Sequence, residues 1–585
     1  MELKAPSRLG QRDATLFNAS PETIEYASRY LGWVGLAANP VLPIAVINEQ
    51  AQAILAEGLD AVVLIGQGGS SQASMTLTKL QEVCGQGNGV AFRTMDSLSP
   101  VFVNHILGSS DPARTLYIVS SKSGSTLEPL SLERVAWHYV SAHLGPSAAA
   151  RRFVAITDPG SQLEQLAHSK GYREVFNSPA DVGGRFSALT VFALFPAALV
   201  GIDIAQAVQA AALTEKACTS DEPANPALKL AAFLVAGQRC GRDKFSLILP
   251  PSGQVFGLWV EQLVAESLGK HGVGILPNVE VDASILSTAR TDRSVIVYEV
   301  GETDGFSESI GNISPEIPLL RYTIDGPLEA FSSFVLWEYA IAFAGILLGV
   351  NPFDQPDVEL TKQLVRELLA GQSGAVADGQ QSGRSAAPAE PGAVAEAGCG
   401  TAAASLKHPN LLTMEFAAGT VRAVHVAPAL LSDELADIAN IDQALRALLG
   451  SLADGDYFSL NAFLPFRGYG RREALERMRN RVASRLGAAA CLEIGPRYLH
   501  STGQLHKGGP NNGVFLIISA MEENDIAIPE EHYTLGTLAA TLAHSDFLAL
   551  AARGRRAVHI QLADNDSETL SHFADRLCSA VSAVH

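Results

Sequence analysis

Two short stretches of this chain share one design. Ala61 to Ile65 is wholly apolar and runs straight into the turn Gly66 to Ser71, after which a helical pattern begins. Thr115 to Ser120 does the same, entering Ser121-Lys122-Ser123-Gly124-Ser125-Thr126 ahead of a helix that holds Glu128. A strand without polar alternation is buried on both faces, which is the condition of a parallel sheet sandwiched between helices. Arg152 to Thr157 is a third such strand, and Lys244 to Leu249 and Arg293 to Val300 belong to a second set. Strand and helix alternate throughout, so the expected fold class is α/β: two parallel-sheet sandwiches with helices on both faces, plus a C-terminal α/β segment. Ligands of such sheets bind at the carboxyl ends of the strands.

At 585 residues the chain is too long for one hydrophobic core. The sequence suggests residues 1–225 and 226–370 as two domains. A Gly-, Ala-, Ser-, Gln- and Pro-rich stretch over 371–405 then reads as a flexible linker. The segment 406–585, with strands near 457–464, 491–494, 513–518 and 557–562, is expected to pack with the second domain. The most apolar runs hold Pro196 and Glu338 and read as buried helices rather than membrane spans. A net charge of −19 disfavours nucleic acid and anionic membrane as partners. Six scattered cysteines with no C-x-x-C pair suit reduced thiols in a cytoplasmic protein. The first thirteen residues have no apolar core of a signal peptide.

The two loops carry the chemistry of an anion site. Small-residue turns at helix N-termini present backbone N–H groups to a phosphate, and serine and threonine hydroxyls and Lys122 add donors and charge. Neither loop is a dinucleotide fingerprint or a Walker loop, so a small phosphate ester is the expected ligand. Val182-Gly183-Gly184-Arg185-Phe186-Ser187 lets the backbone bring a guanidinium close to something. Phe256, Trp259, Val260, Leu263, Val264 and Leu268 recur at helical spacing. On that helix Gln262, Glu266 and Lys270 share a face, and alone they read as an ordinary surface Glu–Lys pair. Lys362, after the Pro-broken turn Asn351 to Asp357, alone reads as a surface lysine. His500 and His506 share a Gly-rich loop without a third ligand cluster, so no metal is expected.

Together these motifs resemble the glucose-6-phosphate isomerase family, of sugar-isomerase fold. The stretches are Gly66 to Ser71 (with Gln67 where an apolar residue is usual), Ser121 to Glu128, Val182 to Ser187, Gln262 to Pro277, Asn351 to Lys362 and His500 to Gln504. In ordinary members the histidine stretch lies between the Glu and Lys stretches; here it follows the linker. With Gly495 to Gly509, this order resembles the isomerase part of bifunctional transaldolase/glucose-6-phosphate isomerase fusions. No barrel with a Schiff-base lysine precedes it, so transaldolase activity is not expected.

The resemblance implies a reaction and roles. The reaction is the interconversion of glucose 6-phosphate and fructose 6-phosphate, a step of glycolysis and gluconeogenesis. Glu266 would carry a proton between C2 and C1, and Arg185 would stabilise the enediolate. His500 with Lys362 would open the ring, with His506 as the rival histidine. Gly69, Ser70, Ser121, Lys122, Ser123 and Thr126 would hold the phosphate, and Gln262 and Gln355 would line the sugar. Proton abstraction next to a carbonyl needs a carboxylate in a water-poor cleft and a fixed cation for the oxyanion. It needs no metal or organic cofactor. A homodimer is implied, since in the family the ring-opening histidine reaches across subunits. The alternatives are a silent sugar-phosphate-binding regulator and an isomerase that also accepts mannose 6-phosphate.

Overall fold

The computed structural model describes the chain except residues 1–2, 18–19, 86, 281–282, 302–309, 311–312, 378–410, 418, 432–437, 466–469, 523 and 585. The first sheet contains β1 (Ala61–Gly66), β2 (Ala91–Met95), β3 (Thr115–Ser120), β4 (Phe153–Thr157) and β5 (Glu174–Asn177). Its order is β2-β1-β3-β4-β5, and all pairs are parallel. The second contains β6 (Lys244–Ile248), β7 (Leu276–Glu280), β8 (Arg293–Val300) and β9 (Leu319–Ile324), ordered β7-β6-β8-β9 and also parallel.

β1 and β3 are buried along their whole length, and their alternate side chains enter two different cores. Val62, Leu64, Leu116 and Ile118 join Phe245, Leu247 and Tyr298 of the second sheet in one core, to which the helix Pro327–Leu348 also contributes. Val63, Ile65, Tyr117 and Val119 face a core shared with the C-terminal part. The period of two therefore wedges the first sheet between its neighbours, which is why no polar residue interrupts its central strands.

The C-terminal part is a sheet of its own. It comprises β10 (Leu412–Glu415), β11 (Val421–Val426), β12 (Tyr457–Phe463), β13 (Ala489–Ile494), β14 (Gly513–Ala520) and β15 (Arg556–Leu562), in the order β10-β11-β15-β14-β12-β13. β11 pairs antiparallel with β10 and with β15; the rest is parallel. It touches the second sheet's domain through Lys244 and Gly455 and through Arg479 and Glu280. It also grips the first, through Arg497 and Asp96 and through Arg134 and Glu531, beyond the packing expected with the second domain alone.

The helix Val358–Ala377 continues past the boundary read at residue 371; the remainder of the proposed linker lies outside the described residues. Among the described residues, two helices, Pro327–Leu348 and Leu535–Ala552, are long and apolar enough to cross a membrane by length and composition, and both are mostly buried in the protein. Their apolar surface is spent on core packing, as expected for the first.

Candidate active site

Glu266 lies in the last turn of the helix Gln254–Leu268, whose apolar stripe of Phe256, Trp259, Val260, Leu263, Val264 and Leu268 is buried as its spacing predicts. The stripe fixes the helix, and the opposite positions then converge on one point. Glu266 Oε1 lies 2.7 Å from Arg185 Nη1, and Gln262 Nε2 donates to Glu266 Oε2 at 3.0 Å. The Arg185 and Glu266 side chains are 5% and 12% exposed, so this ion pair is almost out of water.

Arg185 sits in a single 3-10 turn, Gly184–Phe186, and the loop Gly68–Ser70 presses against it. A Cβ on Gly69 would fall 2.2 Å from the Gly184 carbonyl carbon, so only glycine permits that approach. The guanidinium is held on every side. Its Nε donates to Ser267 Oγ (2.9 Å) and Pro352 O (3.2 Å), its Nη1 to Gln355 Oε1 (2.8 Å), and its Nη2 to the carbonyls of Pro352 and Asp354 (2.8 Å each). A planar fork of five donors suits such a cage, and a lysine would not satisfy it.

Lys270 corrects the reading of a surface Glu–Lys pair. The helix ends at Leu268, so the i, i+4 relation to Glu266 lapses, and Lys270 turns inward to full burial. Its Nζ donates to Asn351 O (2.7 Å), Asp354 O (2.5 Å) and Asp354 Oδ1 (2.7 Å). Burial, helped by the Arg185 charge, lowers its pKa to about 8 against the pull of Asp354 and Glu266. Lys270 thus pins the turn whose carbonyls cage Arg185.

The histidine stretch arrives from the far end of the same chain. Gln504 Nε2 donates to Gly269 O (3.0 Å) and to Asp357 Oδ2 (2.7 Å), while Asp357 N donates to Gln504 Oε1 (3.0 Å). One side chain so ties the loop to the end of the Glu266 helix and the start of the Lys362 helix. His500 Nε2 then lies 2.9 Å from Glu128 Oε1. A Cβ on Gly68 would touch both His500 Cβ (3.1 Å) and Gln262 Nε2 (3.0 Å), so His500 adjoins the Glu266 face. Within the single chain, His500 already adjoins the face that carries Glu266. Burial pushes the Glu128 carboxyl up, but the His500 and Lys362 charges and hydrogen bonding hold it below its usual range.

His506, the rival, is buried among the rings of Tyr457, Tyr498 and Phe515, and burial drives its pKa well below the usual histidine value. Lys362 is half-exposed and bonds Glu359 at 2.6 Å. It reaches the pair only through its charge on Glu128.

In the phosphate loops, Ser123 and Thr126 hydroxyls lie 3.3 Å apart at the mouth of the helix Leu127–Leu144. Ser70 and Ser121 are buried, and Ser121 Oγ has no protein partner among the described residues, nor has Gln262 Oε1. Both orphaned atoms suit a polar ligand. The Lys122 ammonium pairs with Asp158 and donates to Ala180 O at 3.3 Å, contacts that brace the loop. Glu128, Ser267, Lys270, Asp354 and Gln504 are the members of the site to which sequence reasoning assigned no role. A cavity of about 920 Å³ lies elsewhere, between Gln254 and Glu261 of the same helix and Arg472 and Arg479 of Arg471–Leu486.

A family model described as phosphoglucose isomerase matches residues 49–278, which span both phosphate loops, Arg185 and Glu266. A glucose-6-phosphate isomerase of Symbiobacterium thermophilum is 30% identical over 371 residues, covering 55% of this chain and 82% of that protein. The chain belongs to the phosphoglucose isomerase family. Another glucose-6-phosphate isomerase, from Mycoplasmopsis pulmonis, is 29% identical over 415 residues, covering 62% of this chain and 94% of its own length. Among solved structures, a hypothetical protein of Thermus thermophilus superimposes with a TM-score of 0.53 at 25% identity, over 63% of this chain and 97% of its own. The parallel sheets with helices on both faces are the family's fold.

Proposed function

We propose that the protein interconverts glucose 6-phosphate and fructose 6-phosphate, with Glu266 moving the proton between C2 and C1. The observation that carries this reading is the Glu266 carboxylate held between Arg185 and Gln262 in a nearly dry cleft beside His500. A carboxylate so fixed is a general base without a reorganisation cost, and the caged guanidinium offers a permanent positive charge to the enediolate oxygen. His500, oriented by Glu128, gives a proton to the ring oxygen as the C1–O5 bond breaks and the C1 hydroxyl releases its own proton to become the carbonyl, and the same transfers reverse on closure. Lys362 supports it electrostatically through Glu128.

Ser121, Ser123, Thr126, Gly69 and Ser70 hold the phosphate, remote from the reacting carbons, so that its binding energy positions C1 and C2. Lys122 contributes by fixing the loop, and Gln262 and Gln355 line the sugar. A cytoplasmic homodimer belongs to the same reading and rests on the family resemblance. The nearer likeness to the transaldolase fusions rests on Gly495 to Gly509 and on His500 following Lys362.

The test is a coupled turnover assay with fructose 6-phosphate and mannose 6-phosphate side by side, on wild type and Glu266→Gln. Turnover of fructose 6-phosphate is expected in the wild type, with a loss of about 10³-fold or more in the variant while substrate still binds. Near-normal turnover by the variant would remove Glu266 from the role of base.

A further inference from the structure

Outside the catalytic cleft, three histidines converge on one face of the C-terminal sheet. His425 on β11 and His559 on β15 stand directly opposite each other in the antiparallel register. Such partners have Cβ atoms about 5 Å apart and point to the same side. His544 comes from the helix Leu535–Ala552, which packs across that side. The ring centroids are 4.9 Å apart for His425 and His544, 5.4 Å for His425 and His559, and 5.7 Å for His544 and His559. One nitrogen of each ring lies within 4.8 Å of the others.

The second nitrogens decide between a stack of aromatic filler and a ligand set. His559 Nε2 lies 2.9 Å from Ser519 Oγ, while its Nδ1 is buried with no protein partner among the described residues. His425 Nδ1 lies 3.1 Å from Thr413 Oγ1. A hydroxyl on one nitrogen orients the ring and leaves the other nitrogen available, the arrangement that supports metal-binding imidazoles. His559 is buried and the other two are half-exposed, so the face has a closed floor and a solvent-side entry.

We propose that His425, His544 and His559 bind one divalent transition-metal ion of the zinc class, with a fourth position left to solvent. Three imidazoles from two strands and a helix match a three-ligand site with one open position. Ligand nitrogens in a tetrahedral site are about 3.3 Å apart, and side-chain rotation of the two half-exposed rings closes the difference. The ion cross-links β11, β15 and the helix, so its effect falls on the C-terminal sheet rather than on turnover.

The experiment uses the full chain, stripped with chelator and titrated with cobalt(II), then with zinc. One cobalt per chain is expected at about ten micromolar protein, with the intense visible bands of a four-coordinate ion, bleached by zinc. Zinc is expected to raise Tm by about 3 °C or more. His425→Gln and His544→Gln, both at half-exposed positions, lose the bands and the Tm shift and keep wild-type turnover. Copper(II) bound to the wild type gives an independent readout, because paramagnetic resonance then shows coupling to several imidazole nitrogens. The absence of bands and Tm shift in the wild type, or metal binding by the variants equal to wild type, overturns the proposal.

Discussion

His500 Nε2 lies 2.9 Å from Glu128 Oε1, across 372 positions of sequence. Glu128 sits in the first turn of the helix that follows the second phosphate loop, so the carboxylate orienting the histidine is built into the element that presents the loop. In the proposed mechanism, phosphate binding and ring opening therefore share one support. His500→Ala is expected to slow turnover of the ring-closed substrate by about 10²-fold or more, and to slow isomerisation of a pre-opened substrate less. His506→Ala, which empties a space among Tyr457, Tyr498 and Phe515, is expected to lower stability by about 3 kcal/mol with chemistry retained. Paired assays of turnover and thermal unfolding separate the two; impaired ring opening in His506→Ala with normal His500→Ala would reverse the assignment.

Arg185→Lys keeps the charge but not the fork. The carbonyls of Pro352 and Asp354, Gln355 and Ser267 each lose a donor that a single ammonium cannot replace. A drop in kcat of about 10²- to 10³-fold is expected, with KM changed far less, because the interaction lost is that with the enediolate. A variant whose KM alone rises would place Arg185 in substrate binding instead.

Much of this was legible in the sequence because it is written in apolar spacing. The central strands β1 and β3 of the first sheet are almost unbroken apolar runs, and the Glu266 helix buries the residues that its period selects. The sheet-edge strands β2, β5, β9 and β10 were not read from the sequence: they are short and half-exposed and mix polar with apolar residues, so no apolar run marks them. Within the site, the two loops stood out by residue type, whereas Arg185 and Glu266 were singled out only by the resemblance of their motifs. The cage did not stand out, since Arg185 is held largely by backbone carbonyls, which every residue possesses. Lys270 misled for a different reason: helical spacing applies only as far as the helix, which stops two residues short of it.

Gly69→Ala tests the contact between the first phosphate loop and the arginine turn. The added methyl would meet the Gly184 carbonyl carbon and oxygen at 2.2 Å and the Arg185 amide nitrogen at 2.7 Å, all backbone atoms. Backbone cannot step aside as a flexible side chain does, so the two loops must separate. The expected cost is about 1–3 kcal/mol of stability, together with a loss of about 10²-fold in kcat/KM from the misplaced guanidinium. Thermal unfolding and the coupled assay measure both. Wild-type activity in this variant would show that the loop contact does not set the arginine's position.

Lys270 links the site to pH. Its folded pKa, about 8, lies below its ordinary value of 10.5 because burial, with the Arg185 charge, disfavours the ammonium. The folded chain therefore gives up this proton before the unfolded chain does. Holding the charge is a cost to the fold below pH 8, and that cost is relieved as pH rises from about 8 to 10.5. Catalysis is expected to run the other way. Below pH 8 the ammonium grips Asp354 and the Asn351 carbonyl, and the turn caging Arg185 is held; above it the ion pair is gone and the cage loosens. The substrate phosphate, with a second pKa near 6, is already fully charged there and adds no slope. The wild type should thus lose kcat/KM through an alkaline limb centred near pH 8 while its thermal stability holds or improves. Lys270→Met, checked for native circular dichroism, should be about tenfold less active at pH 7 and flat across the same range. A wild-type profile level to pH 9.5, or a limb that persists in Lys270→Met, would assign the titration to another group.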